Sequence, residues 1–340
     1  MKRFTALLLT LFFILAVAAG CGSSSNPQAG SDSAASTPPD TAVSAPEGTQ
    51  KFTVDKIALT YVKSPLNVPS IVEKQKGMFA EAFKAYGLPV EYSNLTTGPE
   101  QTQALASGDI QFLYAVGATS VILSASNGAD IKIISTYSRS PEAFMLFAKD
   151  DRIKSAADLK GKKVAGPKGT ILHELLVAYL ATAGLTEADI EFASMGIPDS
   201  QAALLGGQVD AALLAGPTAY NMSKNGYGVV TTGKGLVDAT IVVATSNAFY
   251  EKNPLLVETF LKTQKEVLEY INSNGDEVME ITAKETELSK EAVEEMFKMY
   301  DFNMEITPAD IQSMKKTVAF MKANDMIQND VDIESLIIKK

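Results

Sequence analysis

Two stretches of this chain repeat one another, and the repeat limits the possible folds more than any other feature. Residues 104–120 read ALASGDIQFLYAVGATS, and residues 203–219 read ALLGGQVDAALLAGPTA. At a constant offset of 99, Ala104 pairs with Ala203, Leu105 with Leu204, Gly108 with Gly207, Ile110 with Val209, Gly117 with Gly216 and Thr119 with Thr218. Each copy reads as a helix end, a glycine stop, a buried strand and a glycine that opens the next helix. One supersecondary unit used twice at this spacing points to two lobes built on the same plan.

The flanking pattern agrees. Strands are predicted at 56–62, 90–95, 111–116 and 131–138, and again at 162–166, 191–195 and 210–215, alternating with helical segments. Pro99, Pro198 and Pro217 each stand at a helix start, where the missing N–H costs nothing. This alternation predicts an α/β chain of two Rossmann-like lobes with mainly parallel sheets and a ligand cleft between them. Segments 142–150 and 239–250 read as strands crossing between the lobes. Lobe 1 is then 51–141 with 241–340, and lobe 2 is 142–240. After Pro254 the pattern is helical almost to the end, and its methionines read as core fillers.

Residues 1–20 have the layout of a secretory signal peptide: basic Lys2 and Arg3, an apolar run from Leu7 to Val17, then Ala18, Ala19 and Gly20. Cys21 follows as the only cysteine, so no disulfide forms within the chain. Residues 21–50 are rich in Ser, Ala, Pro, Gly and Thr and predict a disordered tether. The net charge of −10 argues against nucleic acid and against electrostatic adhesion to anionic lipid. There is no Trp, so a stacked ligand would have to use Tyr or Phe.

In open α/β sheets, ligands bind beyond the carboxyl ends of the strands. Six loops of that kind are predicted, at 64–67, 97–101 and 117–120 in lobe 1 and at 166–173, 195–201 and 216–218 in lobe 2. Their glycines and hydroxyls, with the N–H groups of the helix starts, suit anionic or strongly hydrogen-bonding solutes. Candidate contacts are Ser64, Asn67, Thr97, Gly98, Gln101, Gly117, Ala118 and Thr119, with Asp199, Gly216 and Pro217 opposite. Asp199 reads equally as a helix stabiliser. Arg139 closes the last strand of lobe 1 and could offer a planar fork to a carboxylate or sulfonate.

Several segments resemble bacterial ABC-transporter solute-binding lipoproteins of the aliphatic sulfonate, nitrate, taurine and thiamine-precursor group. They are ALASGDIQF, RIKSAADLKGKKVAGPKGTILHELLVAYLATAGLTEADIEF and ALLGGQVDAALLAGPTAY. The Cys21 context resembles a lipobox, with Ala18 where leucine is usual. Ala-Leu-Leu-Ala-Gly (212–216) stands where many sulfonate binders carry Trp and an acid. The resemblance implies a periplasmic-binding-protein type II fold that captures a small molecule and presents it to a membrane permease. It implies a monomer with an acylated Cys21, held at the extracytoplasmic face of the cell membrane, with no cofactor and no catalysis. By the matching turn, Gly169, Thr170 and His173 join the candidate contacts. His173 is the only histidine, and no nucleophile motif or metal-ligand spacing accompanies it. It is expected either as a neutral ligand contact or in a capping or surface role. Alternative readings are a thiamine-pyrimidine-precursor binder, a same-fold enzyme of the menaquinone or thiamine-precursor type, and a sensor that docks a membrane receptor.

Overall fold

The computed structural model describes residues 51–338. The signal peptide, Cys21 and the tether lie outside the described residues. The chain runs β1 (Ile57–Thr60), α1 (Val68–Lys76), α2 (Met78–Lys84), β2 (Val90–Ser93), α3 (Gly98–Ser107), β3 (Leu113–Gly117), α4 (Ala118–Ser126) and β4 (Lys132–Arg139). It continues as β5 (Phe144–Ala148), β6 (Lys163–Gly166), α5 (Ile171–Ala181), β7 (Glu191–Ser194), α6 (Ile197–Leu205), β8 (Ala211–Ala215), α7 (Gly216–Lys224), β9 (Gly228–Thr232) and β10 (Thr240–Thr245). Helices complete it: α8 (Asn247–Lys252), α9 (Pro254–Ser273), α10 (Gly275–Thr286), α11 (Lys290–Phe297), α12 (Pro308–Ala323) and α13 (Ile333–Leu336).

The strands form two arrays of the same design. In the second lobe one sheet has the order β7-β6-β8-β5-β9. In the first, β2 pairs with β1, a parallel bridge from Leu59 to Phe112 joins β1 to the strand β3, and β3-β10-β4 follows. Strands β7, β6 and β8 are parallel, and β5 lies antiparallel between β8 and β9. Strand β10 likewise lies antiparallel between β3 and β4. The repeated units are therefore α3-β3-α4 and α6-β8-α7, at equivalent places in the two arrays. The sheets are more mixed than the alternation predicts, because each crossing strand enters against its neighbours. Strand β9 was missed from sequence. Its first residues are exposed, and at the sheet edge it lacks the apolar run of a buried strand.

The connections between the arrays, 140–143 and 233–239, run side by side. Gly233 N–H donates to Phe144 O at 3.0 Å, and a Cβ on Gly233 would fall 2.5 Å from Pro141 O.

An aromatic stack fastens α9 to the first array. The Phe260 ring stacks on Phe79 at 4.4 Å and on Phe112 at 4.1 Å, and meets Tyr114 edge-on at 5.5 Å. All four side chains are fully buried. Removing this ring leaves a cavity that rigid strands cannot close, so Phe260→Ala is expected to lower unfolding stability by about 3–5 kcal/mol in urea titrations.

Glu73 on α1 is also fully buried. Tyr92 donates to one carboxyl oxygen at 3.2 Å, while the other has no partner. Burial raises its pKa from 4.5 to about 8, with the Tyr92 hydrogen bond opposing the shift. A carboxyl whose pKa is raised by folding binds more protons in the folded state. Stability is then fully present below the unfolded value and declines as pH rises towards the folded one. Stability of the parent to urea is expected to fall between about pH 5 and about pH 8, and Glu73→Gln is expected to reduce that slope, the remainder coming from Glu174, whose pKa burial also raises.

Candidate functional site

The carboxyl ends of β1, β2 and β3 face those of β6 and β7 across a small cavity of about 70 Å³. Such a volume holds a few water-sized groups, at about 10–15 Å³ each, and so suits a small solute. Of the predicted contacts, Ser64, Gly98, Gln101, Gly117 and Thr170 line it. They come from loops on both lobes. The remaining lining includes Val62, Pro65, Thr96, Ala115, Ser120, Phe144, Pro167, Ile171, Leu172, Ile197 and Ile241. No lining residue is charged.

Close approach explains two of the glycines. A Cβ on Gly98 would fall 2.0 Å from Ser120 Oγ. Gly216 has φ +58°, and a Cβ there would fall 2.8 Å from Pro65 Cα, so both backbone conformation and space require glycine. Gly216 therefore packs the lobes together, and neither it nor Pro217 lines the cavity. Ser64 Oγ lies 3.5 Å from Ala215 O, and Ser120 Oγ donates to Gly169 O at 2.8 Å. Thr119 donates to the Glu174 carboxylate, as does Thr317 at 3.0 Å, and burial raises the Glu174 pKa despite these bonds.

Three helices begin at the cavity without a side-chain cap: α4 at Gly117, α5 at Thr170 and α6 at Gly196. Thr170 Oγ1 is turned to Pro167 O at 2.7 Å. Helix α3 differs, because Thr97 and Glu100 form a capping box that occupies the Thr97 hydroxyl. Asn67 is buried at the start of α1, where its amide donates to Val62 O at 2.8 Å, and Ala118 is buried in the first turn of α4. Gln101 is 3 % exposed. Its Nε2 donates to Leu95 O at 3.0 Å, and its Oε1 has no partner. Asp199 is exposed in the first turn of α6 and does not line the cavity.

Two expectations require correction. Arg139 does not offer its fork to the cavity. Its Nε and Nη2 each donate to the Asp310 carboxylate at 2.6 Å, Nη2 also donates to Glu305 O at 2.9 Å, and Nη1 donates to Asp301 at 3.3 Å. The bidentate Asp310 pair satisfies the geometry that would have gripped a ligand. His173 also turns away from the cavity. Gly169 N–H donates to its Nδ1 at 3.3 Å, its Nε2 bonds Glu187, and its ring stacks on Phe192 at 5.1 Å. Since Nδ1 accepts, the proton sits on Nε2 and the ring is neutral. Burial lowers its pKa further than the Glu187 contact raises it. His173 thus ties the start of α5 to the turn at Glu187–Asp189.

Ala115 carries the least legible signal. It is a cavity-lining alanine at φ +79°, where the β10 register shifts between Val242 and Val243. This is a β-bulge, which turns the β3 wall towards the cavity. No residue type in the sequence announces it.

Two α/β lobes that share a pair of crossing strands and close on a small uncharged cavity define the fold of a periplasmic binding protein. A sequence profile described as NMT1/THI5 like matches residues 65–278, and the chain belongs to that family. It is 25% identical over 273 residues to a protein of Bacillus subtilis described as an aliphatic sulfonates-binding protein, covering 79% of this chain and 82% of that one. It is 25% identical over 231 residues to the taurine-binding periplasmic protein of Escherichia coli, covering 66% and 70% respectively. Among solved structures, the alkanesulfonate-binding protein SsuA from Xanthomonas axonopodis pv. citri, bound to MOPS, superposes with a TM-score of 0.77. The sequence identity is 20%, and the match covers 84% of this chain and 99% of that chain.

Breaking the Arg139–Asp310 pair strands a buried carboxylate. Arg139→Ala is expected to lower unfolding stability by roughly 3 kcal/mol, and Arg139→Lys, which keeps a charged donor beside Asp310, to lose less. Urea titration of both variants checks this. An arginine that served only the cavity would leave stability near that of the parent.

Proposed function

We propose that the chain is the extracytoplasmic solute-binding component of an ABC import system and that it captures a small organic oxyanion. In this reading its lobes, 51–141 with 241–340 and 142–240, close on the solute by bending at 140–143 and 233–239. The observation that carries the reading is the convergence of three uncapped helix starts on a cavity with no charged lining residue. Unpaired N–H groups and the positive ends of helix dipoles can hold an anion without a cationic side chain. The names of the relatives favour a sulfonate as that anion.

The same lining favours binding over catalysis. It contains no histidine, cysteine, carboxylate or amine to move a proton or attack a substrate. The layout of residues 1–21 supports acylation of Cys21, and the composition of 21–50 supports a tether that holds a monomeric body near a permease.

Native mass spectrometry, before and after denaturing and refolding, tests the proposal. A discrete small oxyanion is expected to accompany the native protein and to vanish on refolding. An empty protein that also gives no heat with a panel of sulfonates and carboxylates would overturn it.

A further inference from the structure

We infer that the cavity selects an oxyanion whose second polar group is a neutral donor, such as a hydroxyl, over the ammonium analogue of the same length. The inference rests on the oxyanion-binding reading above and sharpens the class of solute.

It starts from Gln101. The side chain lines the cavity and is almost wholly buried, and its Nε2 is occupied by Leu95 O. Because that bond places the amide nitrogen, the unpartnered atom is the carbonyl oxygen. A buried acceptor without a partner is costly, and a bound solute that donates to it recovers the loss. The solute therefore carries an N–H or O–H group as well as its oxyanion.

Charge then discriminates between the two. An ammonium brought into this cavity meets an amide oxygen, the neutral hydroxyls of Ser64, Thr96, Ser120 and Thr170 and the single phenyl ring of Phe144, with no carboxylate in the lining. The nearby acids are otherwise placed: Glu174 is held by Thr119 and Thr317, Glu100 caps α3, and Asp199 is exposed beyond the lining. Removing an ammonium from water without an opposite charge is far more costly than removing a hydroxyl that finds an acceptor.

The test is titration calorimetry on the full-length chain in mild detergent with ethanesulfonate, 2-hydroxyethanesulfonate and 2-aminoethanesulfonate. The carboxylate pair 3-hydroxypropanoate and 3-aminopropanoate is titrated in parallel. In at least one series the hydroxyl compound is expected to bind about tenfold tighter than its amino partner. If the sulfonates bind, 2-hydroxyethanesulfonate is also expected to bind more tightly than ethanesulfonate, and Gln101→Ala is expected to remove that advantage. Gln101→Glu, checked for folding by thermal unfolding, is expected to shift preference towards the amino compound. Amino compounds that bind as tightly as the hydroxyl ones overturn the inference and leave the oxyanion reading standing. So does a 2-hydroxyethanesulfonate no tighter than ethanesulfonate. Failure of all five to bind overturns the oxyanion reading, and this inference with it.

Discussion

Each sheet array is completed by a strand that arrives from the other side of the molecule. Strand β10 lies between β3 and β4, and β5 lies between β8 and β9, each hydrogen-bonded along both edges. The first array cannot form its central pairing until the chain has returned from the second. The backbone pairing stays within each array, and among the described residues the chain passes between them at the two short connections. That arrangement leaves two sheet arrays joined by two short segments that run side by side. The loops that face each other across the gap are the ones that follow the parallel strands, so the topology itself sets the place of the cavity.

Charge is kept out of that cavity by pairing elsewhere. Arg139 ends β4 close to the connection, yet Asp310 on α12 takes its fork, and the Thr307 hydroxyl and backbone N–H donate to the same carboxylate. Glu174 sits one turn into α5 and is held by threonines from α4 and α12. His173 is neutral and faces the turn behind its own helix. What remains around the cavity is apolar wall, hydroxyl groups, one amide and three helix starts. In such a site helix-start N–H groups are strong relative to their partial charge, because little water is present to compete with them.

The elements were largely legible from sequence because their signals are local. Alternation of strand and helix, proline at helix starts and the offset repeat of 104–120 and 203–219 each depend on neighbouring residues. The candidate site was legible at the level of loops and less so at the level of side chains. Ser64, Gly98, Gln101, Gly117 and Thr170 line the cavity, whereas Asn67, Thr97, Ala118, Thr119, Gly169, Asp199 and Pro217 sit beside it in caps, turns and helix starts. Ser120, Phe144 and Ile241 were not singled out, since an ordinary serine or a core-type apolar residue gives no sign that it will face a cavity.

By itself, then, the sequence determined the two-lobed α/β plan, the family and the loops from which a site is built, because periodicity, capping and repetition are written in consecutive residues. Only the tertiary structure decided which polar groups are free to meet a solute. Arg139 is neutralised by a carboxylate 171 residues away, and Ala115 takes its unusual backbone from the register of a strand that follows a long excursion through the other lobe. The choice of partner for a charged or polar side chain depends on what folding brings within hydrogen-bond reach, and that distance is not encoded in spacing along the chain.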